Sequence, residues 1–417
     1  MTSDPNQFED TIRDAIKSVA GAHLFCEERV DVRMALSSSG DREIVETRTR
    51  GAAISGGRTV HVTDPAFLEP RSGAMTAPIL WVPRLEGPIT EAARRASKGR
   101  RNPRWSAKAV SFRQEIWVGP PGREPFHDVR RGCRLEFRVR VGSESTGLAV
   151  QDLVLRPDET PFFVEAFSRA FDRAESRASS LPAQDPGATQ AVLAPGVAGI
   201  VSHELIGHAL EGDRVVRGST WIRAESFPAA GTPVTVVDDP GRGRGAWVTD
   251  DEGVAATETT LIDRGRPVGM LLDRASATAL GMVSTGHGRR SSYLENVRPR
   301  MGCTFIAPGD DAPEDILRST PAGVFIRRLA GGHTDPVLGR ASFIVSDADR
   351  IVDGRLAEPL DAFVLELDGV ESWGSIDRVA HDLAFDTCVG SCVRDGQPMA
   401  VSVGAPTIRI GVVRVRS

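Results

Sequence analysis

The chain has 417 residues, of which 40% are hydrophobic and 26% charged. That is ample for buried cores in two or three domains and excludes disorder over most of the length. No apolar run approaches the roughly 20 residues that span a bilayer, and a net charge of −5 gives no global basic field for nucleic acid.

The first ten residues are acidic and polar, whereas a secretory signal needs a basic start and an apolar stretch. The expected location is therefore the cytoplasm. Phe8, Ile12, Ile16 and Val19 recur at helical spacing and predict an amphipathic helix. Residues 29–36 and 42–48 alternate around the turn-rich Ser37–Asp41 and predict a hairpin. A basic helix is expected over 89–101, followed by alternating runs at 109–118 and 133–141. Phe163, Phe167, Ala170, Phe171 and Ala174 place a second amphipathic helix within 161–178. The turn-rich stretch 179–188 is the best linker. Beyond it, short β-like runs alternate with Gly, Asp and Pro, interrupted by one short apolar helix near residue 200. The expected class is α+β, with a mixed N-terminal domain over 1–182 and a mostly β C-terminal domain over 189–417.

That short helix carries the best chemical motif, His203-Glu-Leu-Ile-Gly-His-Ala-Leu-Glu-Gly-Asp213. It departs from the zinc-protease pattern His-Glu-x-x-His by one residue, since three residues separate Glu204 from His208. On a regular α-helix a spacing of five turns about 500°, leaving the two imidazoles about 140° apart. A π-bulge would realign them, and Gly207 permits an irregular turn or a close backbone approach. Without that irregularity the pair reads as ordinary polar residues; Glu204, Gly207, Glu211 and Asp213 favour the metal reading.

The stretch resembles the signature of the TldD/PmbA family, in its TldD branch. The resemblance continues through Val236–Asp239, Thr249–Gly253, Leu261–Gly265, Thr285–Tyr293, Pro299–Met301, Gly331–Pro336, Asp395–Gln397 and Val403–Thr407. It covers roughly residues 190–412, while residues 1–180 match only loosely and form a shorter half than the family's N-terminal domain. The resemblance implies a zinc metallopeptidase in which His203 and His208 bind the ion and Glu204 is the general base. It implies a third ligand, a cysteine shortly before Gly-Gln. An ungapped count back from Gly396 and Gln397 selects Cys392, and the Thr-Cys pairing selects Cys388 instead. It also implies a PmbA/TldE-like partner in a heterodimer, with a homodimer as the alternative, and an extended, unfolded peptide as substrate. The shorter N-terminal half motivates a second reading, a dedicated amide hydrolase of a small natural-product or modified-peptide intermediate. A third, of another class, is a non-catalytic partner or gyrase-modulating binding protein.

Other residues carry two readings each. His287, with Arg289 or Arg290, could hold a substrate carboxylate or oxyanion, or belong to a solvated loop. Tyr293, the only tyrosine, could donate to an oxyanion or sit in the core. Gly332 and His333 lie in a Gly-Gly-His-Thr-Asp-Pro segment that reads as a turn or as an edge contacting substrate. Asp250, Asp251 and Glu252 could bind calcium or magnesium, but a turn suits three consecutive acids better. The five cysteines are odd in number, which argues against a disulfide framework. Of these, Cys26, Cys133 and Cys303 read as buried packing residues. The basic run Arg94–Trp105 reads as a solvated helix end rather than a nucleic-acid patch.

Overall fold

The computed structural model describes residues 23–56, 58–62, 85–100, 102–119, 125–141, 144–151, 160–177, 180–183, 187–223, 227, 232–386 and 390–417. The early helix around Phe8–Val19 and the candidate ligand Cys388 lie outside these described residues. The fold is α+β and strand-rich.

Strands His23–Ser37 and Arg42–Gly56 form the expected hairpin, longer at its open end than the alternation alone suggested. They continue through Pro103–Gly119 and Phe126–Val141 into an antiparallel six-stranded sheet completed by Arg58–Val62 and Glu144–Gln151. One face takes the helices Glu86–Ala96 and Thr160–Ser176. Val30, Val32, Met34, Leu135 and Phe137 from the sheet pack there against Ile89, Phe163, Phe167 and Phe171. Each such fully buried side chain stabilises the fold by about 1.5–3 kcal/mol relative to exposure. The other face meets the C-terminal half: Phe25, Ala53, Ile116 and Val118 close over Tyr293.

The C-terminal half contains a seven-stranded sheet, a second six-stranded sheet and two small two-stranded ribbons. Ala188–Leu193 sits centrally, parallel to Ala322–Asp335 and antiparallel to Ile408–Arg416. The apolar residues of both sheets merge in one core around Leu193, Leu205, Ile326, Phe343 and Trp373. The helix Ala198–Ser202 leaves this core directly after Ala188–Leu193. Gly199 lets it lie on the strand Ser402–Ala405, because a Cβ there would fall 2.5 Å from the backbone nitrogen of Gly404. That close approach fixes where the next turn, carrying His203, begins.

Candidate metal centre

His203–Gly207 forms a π-helical turn. The backbone N–H of His208 donates to the carbonyl of His203, five residues back. The extra residue in the turn brings the two imidazoles onto one side, with ring centroids 5.1 Å apart and planes at 83°. The irregular turn is held from outside as well. Trp221 Nε1 donates to the Leu205 carbonyl at 2.8 Å, satisfying a group the irregular ladder frees. Gly207 is required by packing: a Cβ there would fall 1.9 Å from Met301 Sδ. Met301 thus fills the volume beside the turn.

The third side chain comes from the other end of the chain. Ser391–Arg394 pairs with Gln397–Ala400 in a tight hairpin whose turn residues Asp395 and Gly396 both have positive φ, 49° and 80°. The buried Arg300 donates to the carbonyls of Cys392 and Gln397, each at 3.0 Å, and so pins both strands. This places Cys392 Sγ 3.3 Å from His208 Nε2. One donor atom from each of His203, His208 and Cys392 falls within 4.8 Å of the others, and all three residues are buried. Two imidazoles and a thiol gathered in this way match the donor chemistry of a zinc site. The Nδ1 of His203 has no hydrogen-bond partner among the described residues.

Burial alone would push the Cys392 thiol up; the charge of His208 and hydrogen bonds from both histidines outweigh it and hold the thiol well below its ordinary range. His208 is pulled well above its ordinary value against the effect of burial, by Glu211 and by the thiolate. Its Nδ1 lies 3.1 Å from Glu211 Oε2. Burial would raise the Glu211 carboxyl, but His208, Arg394 and Arg300 hold it down at about 2. Arg394 Nη1 reaches Glu211 at 2.9 Å, and its Nη2 reaches Asp213 at 2.6 Å. The residue two places after Cys392 therefore locks the carboxylate that orients His208. The sequence singled out Glu211 and Asp213 only as nearby acids and missed Arg394 and Arg300; an acid three residues after a histidine was the available signal.

Glu204 stands apart from the three donors. Its side chain is 25% exposed, with Oε2 3.9 Å from His208 Nε2. Just beyond it runs the edge of the strand Ala322–Asp335, whose Thr334 Oγ1 lies 3.4 Å from the Glu204 carbonyl. Gly332 and His333 are on this strand, exposed, and paired with Phe343 and Ser342 on one side. The segment is therefore strand rather than turn.

Three further substrate-binding candidates, His287, Arg289 and Tyr293, are buried instead, while the turn expected at Asp250 is present. His287 is fully buried, with Nδ1 2.9 Å from Thr285 Oγ1 and Nε2 3.2 Å from Asp238 Oδ1. Both ring nitrogens are used internally, so a substrate carboxylate has nothing to bind there. Arg289 is also buried, stacked on Trp247 at 4.1 Å and facing Asp251. Tyr293 is core: its ring occupies the space a Cβ of Gly51 would need. Asp250 accepts from the backbone N–H groups of Glu252, Val254 and Gly288, which makes it the organiser of a turn.

A buried set of two histidines and one cysteine beside a partly exposed glutamate, on a β-rich C-terminal half, defines a candidate metallohydrolase. Residues 186–417 match the family described as the PmbA/TldA metallopeptidase C-terminal domain. The chain belongs to the PmbA/TldD family. It is 31% identical over 239 residues to the metalloprotease TldD homolog of Haemophilus influenzae, covering 57% of this chain and 50% of that one. A protein of Saccharolobus solfataricus named zinc metalloprotease TldD homolog is 28% identical over 235 residues, covering 55% and 52%. The chain thus spans about half the length of the curated relatives it matches. The crystal structure of TldE from Thermococcus kodakarensis superposes with a TM-score of 0.74 at 16% identity, over 98% of this chain and 100% of that chain. That likeness concerns the fold. No helix among the described residues is long and apolar enough to cross a membrane.

Proposed function

We propose that this protein is the metal-holding subunit of a TldD-type zinc peptidase, a hydrolase of amide bonds in unfolded peptides or a peptide-derived substrate. The observation that carries the reading is the meeting of His203, His208 and Cys392 beside Glu204. His203, His208 and Cys392 would hold the ion, which when bound supplies Lewis acidity to an amide carbonyl. Glu204 accepts a proton from the attacking water and passes it to the leaving amine. Glu211, locked by Arg394, orients His208 through Nδ1 and leaves Nε2 facing the thiol. Residues 1–182 and 189–417 are read as two domains, with this chemistry in the second. A PmbA/TldE-like subunit in a cytoplasmic heterodimer is the proposed partner; the fold shared with TldE supports it.

Substrate binding is assigned to the strand edge at Gly332 and His333. Among the described residues, positions 329–335 pair with 340–345 on one side only, while Ala188–Leu193 covers the other side no further than Ile326. A peptide added there reads backbone hydrogen bonds, which every sequence offers, and Thr334 brings that edge to Glu204. Unstructured peptides of varied sequence are therefore expected to be cut, and folded proteins to resist. In a peptide series carrying single N-methyl amides, one or two positions near the scissile bond should slow turnover sharply. Uniform rates across the series would remove strand addition. Cleavage of one side-chain sequence alone would favour the dedicated-metabolite reading.

Glu211→Gln keeps the shape of the orienting group and removes its charge. Chelator competition is expected to show metal affinity lower by about 10–100-fold, the usual effect of losing such a partner. Unchanged affinity would mean that packing alone orients His208.

A further inference from the structure

A second polar cluster lies where the N-terminal sheet meets the Cys392 hairpin. It surrounds a cavity with room for about one water-sized body, walled in part by Met399, the residue opposite Cys392 in that hairpin. Arg29, Arg130, Arg289 and Arg290 all line it, and no Asp or Glu does among the described residues.

Three of these arginines are held from behind. Arg29 makes a two-pronged pair with Asp31 at 2.8 and 2.9 Å. Arg130, fully buried, reaches Asp251 at 2.5 Å and Asp128 at 3.4 Å. Arg289 shares Asp251 at 3.4 Å. Arg290 lies over the Phe25 ring at 4.6 Å and is 5% exposed. Among the described residues its Nε and Nη1, and the Nη1 of Arg289, have no hydrogen-bond partner. A buried N–H on a charged group without an acceptor is strongly unfavourable. Burial, then the charge of Arg130, pushes the Arg289 guanidinium down to about 9, against the pull of Asp251. Asp251, Glu252 and Glu27 stand near Arg290. Asp251, held low against burial, is shared among Arg130, Arg289 and Arg290, while burial pushes the Glu27 and Glu252 carboxyls up to about 7. Among the lining side chains only Gln114 and Ser291 offer an oxygen to accept a water's hydrogens, against four arginines that donate. Room for about one water-sized body favours a monatomic anion over a tetrahedral oxyanion.

We infer that this cavity is a binding site for a monatomic halide anion, chloride in practice, held by Arg289 and Arg290 in the field of Arg29 and Arg130. Bound there, the anion ties the N-terminal sheet to the hairpin that presents Cys392. The site stands independently of the proposed peptidase reading, because no metal or substrate enters the argument.

The test uses the full chain. Melting temperatures are compared in sodium chloride, bromide and gluconate at equal ionic strength, and a bromide-soaked crystal is measured for anomalous scattering. Halide in roughly tenfold excess over its dissociation constant should raise Tm by about 2–4 °C over gluconate, saturably. A bromide peak should lie within the cavity. Arg290→Met removes the charge and keeps most of the volume, and should abolish the difference. If that variant does not fold, the anomalous map of the native protein decides alone. An ordered water without a bromide peak, with equal Tm in all three salts, overturns the proposal; so does a halide effect that persists undiminished in Arg290→Met.

Discussion

Glu204→Gln is expected to keep the metal and lose at least ~10² in kcat, the scale for removing a positioned acid–base group. The side chain is one-quarter exposed and outside the buried set of three donors, so it is open to solvent while touching the edge of the site. Its backbone belongs to the π turn, which the amide leaves intact, and an isosteric change at a partly exposed side chain should change stability by no more than about 0.5 kcal/mol. Elemental analysis and peptide turnover on the same preparation check both halves of the expectation. Loss of metal together with activity would make Glu204 a ligand. Full retained activity would place the base elsewhere, or mean that the reaction is not attack by water.

The centre was legible in the sequence to the extent that it is local. The five-residue spacing of His203 and His208 demands an irregular turn if both are to face one point, and the structure supplies one, closed by the His208 to His203 bond. What compels that turn was not legible, because Met301 and Trp221 press on it from distant parts of the chain. The same holds for Arg394 and Arg300. Nearly every basic residue here is arginine, so no pattern distinguishes the two that hold the site from those on the surface. His287 misled because glycines and arginines around a histidine suggest an open loop. Burial becomes affordable there only because Asp238 and Thr285 take both ring nitrogens, and Asp238 is far away in sequence.

The fold divides along the same line. Alternation and turn chemistry suffice for the 23–56 hairpin, whose register is set by its own turn. They do not place Ala188–Leu193 between strands that begin at Ala322 and Ile408, since those pairings depend on a core assembled from the whole C-terminal half. That placement aims the helix Ala198–Ser202, and so the histidines, at the Cys392 hairpin.

Cys392→Ser is expected to release the metal, with a larger loss of affinity than the roughly 10–100-fold of an orienting partner. Its sulfur lies 3.3 Å from His208 Nε2 on a hairpin fixed at both strands by Arg300. The surroundings favour its thiolate against burial, the form that binds metal. A serine hydroxyl at the same place stays protonated and is a poorer, harder donor. The competing candidate, Cys388, lies outside the described residues, so the ranking of the two serine variants is the informative quantity. Cys388→Ser should hold about one zinc per chain through gel filtration at neutral pH, as the native protein should. Both should lose it on acidification as the donors take up protons. If Cys388→Ser loses the ion and Cys392→Ser keeps it, the ungapped count from Gly396 and Gln397 fails, and the segment before Ser391 must carry the ligand instead. If native protein holds no transition metal and takes none up on reconstitution, the three donors form a thiolate–imidazolium pair with a neighbouring histidine, and the peptidase reading falls with the metal.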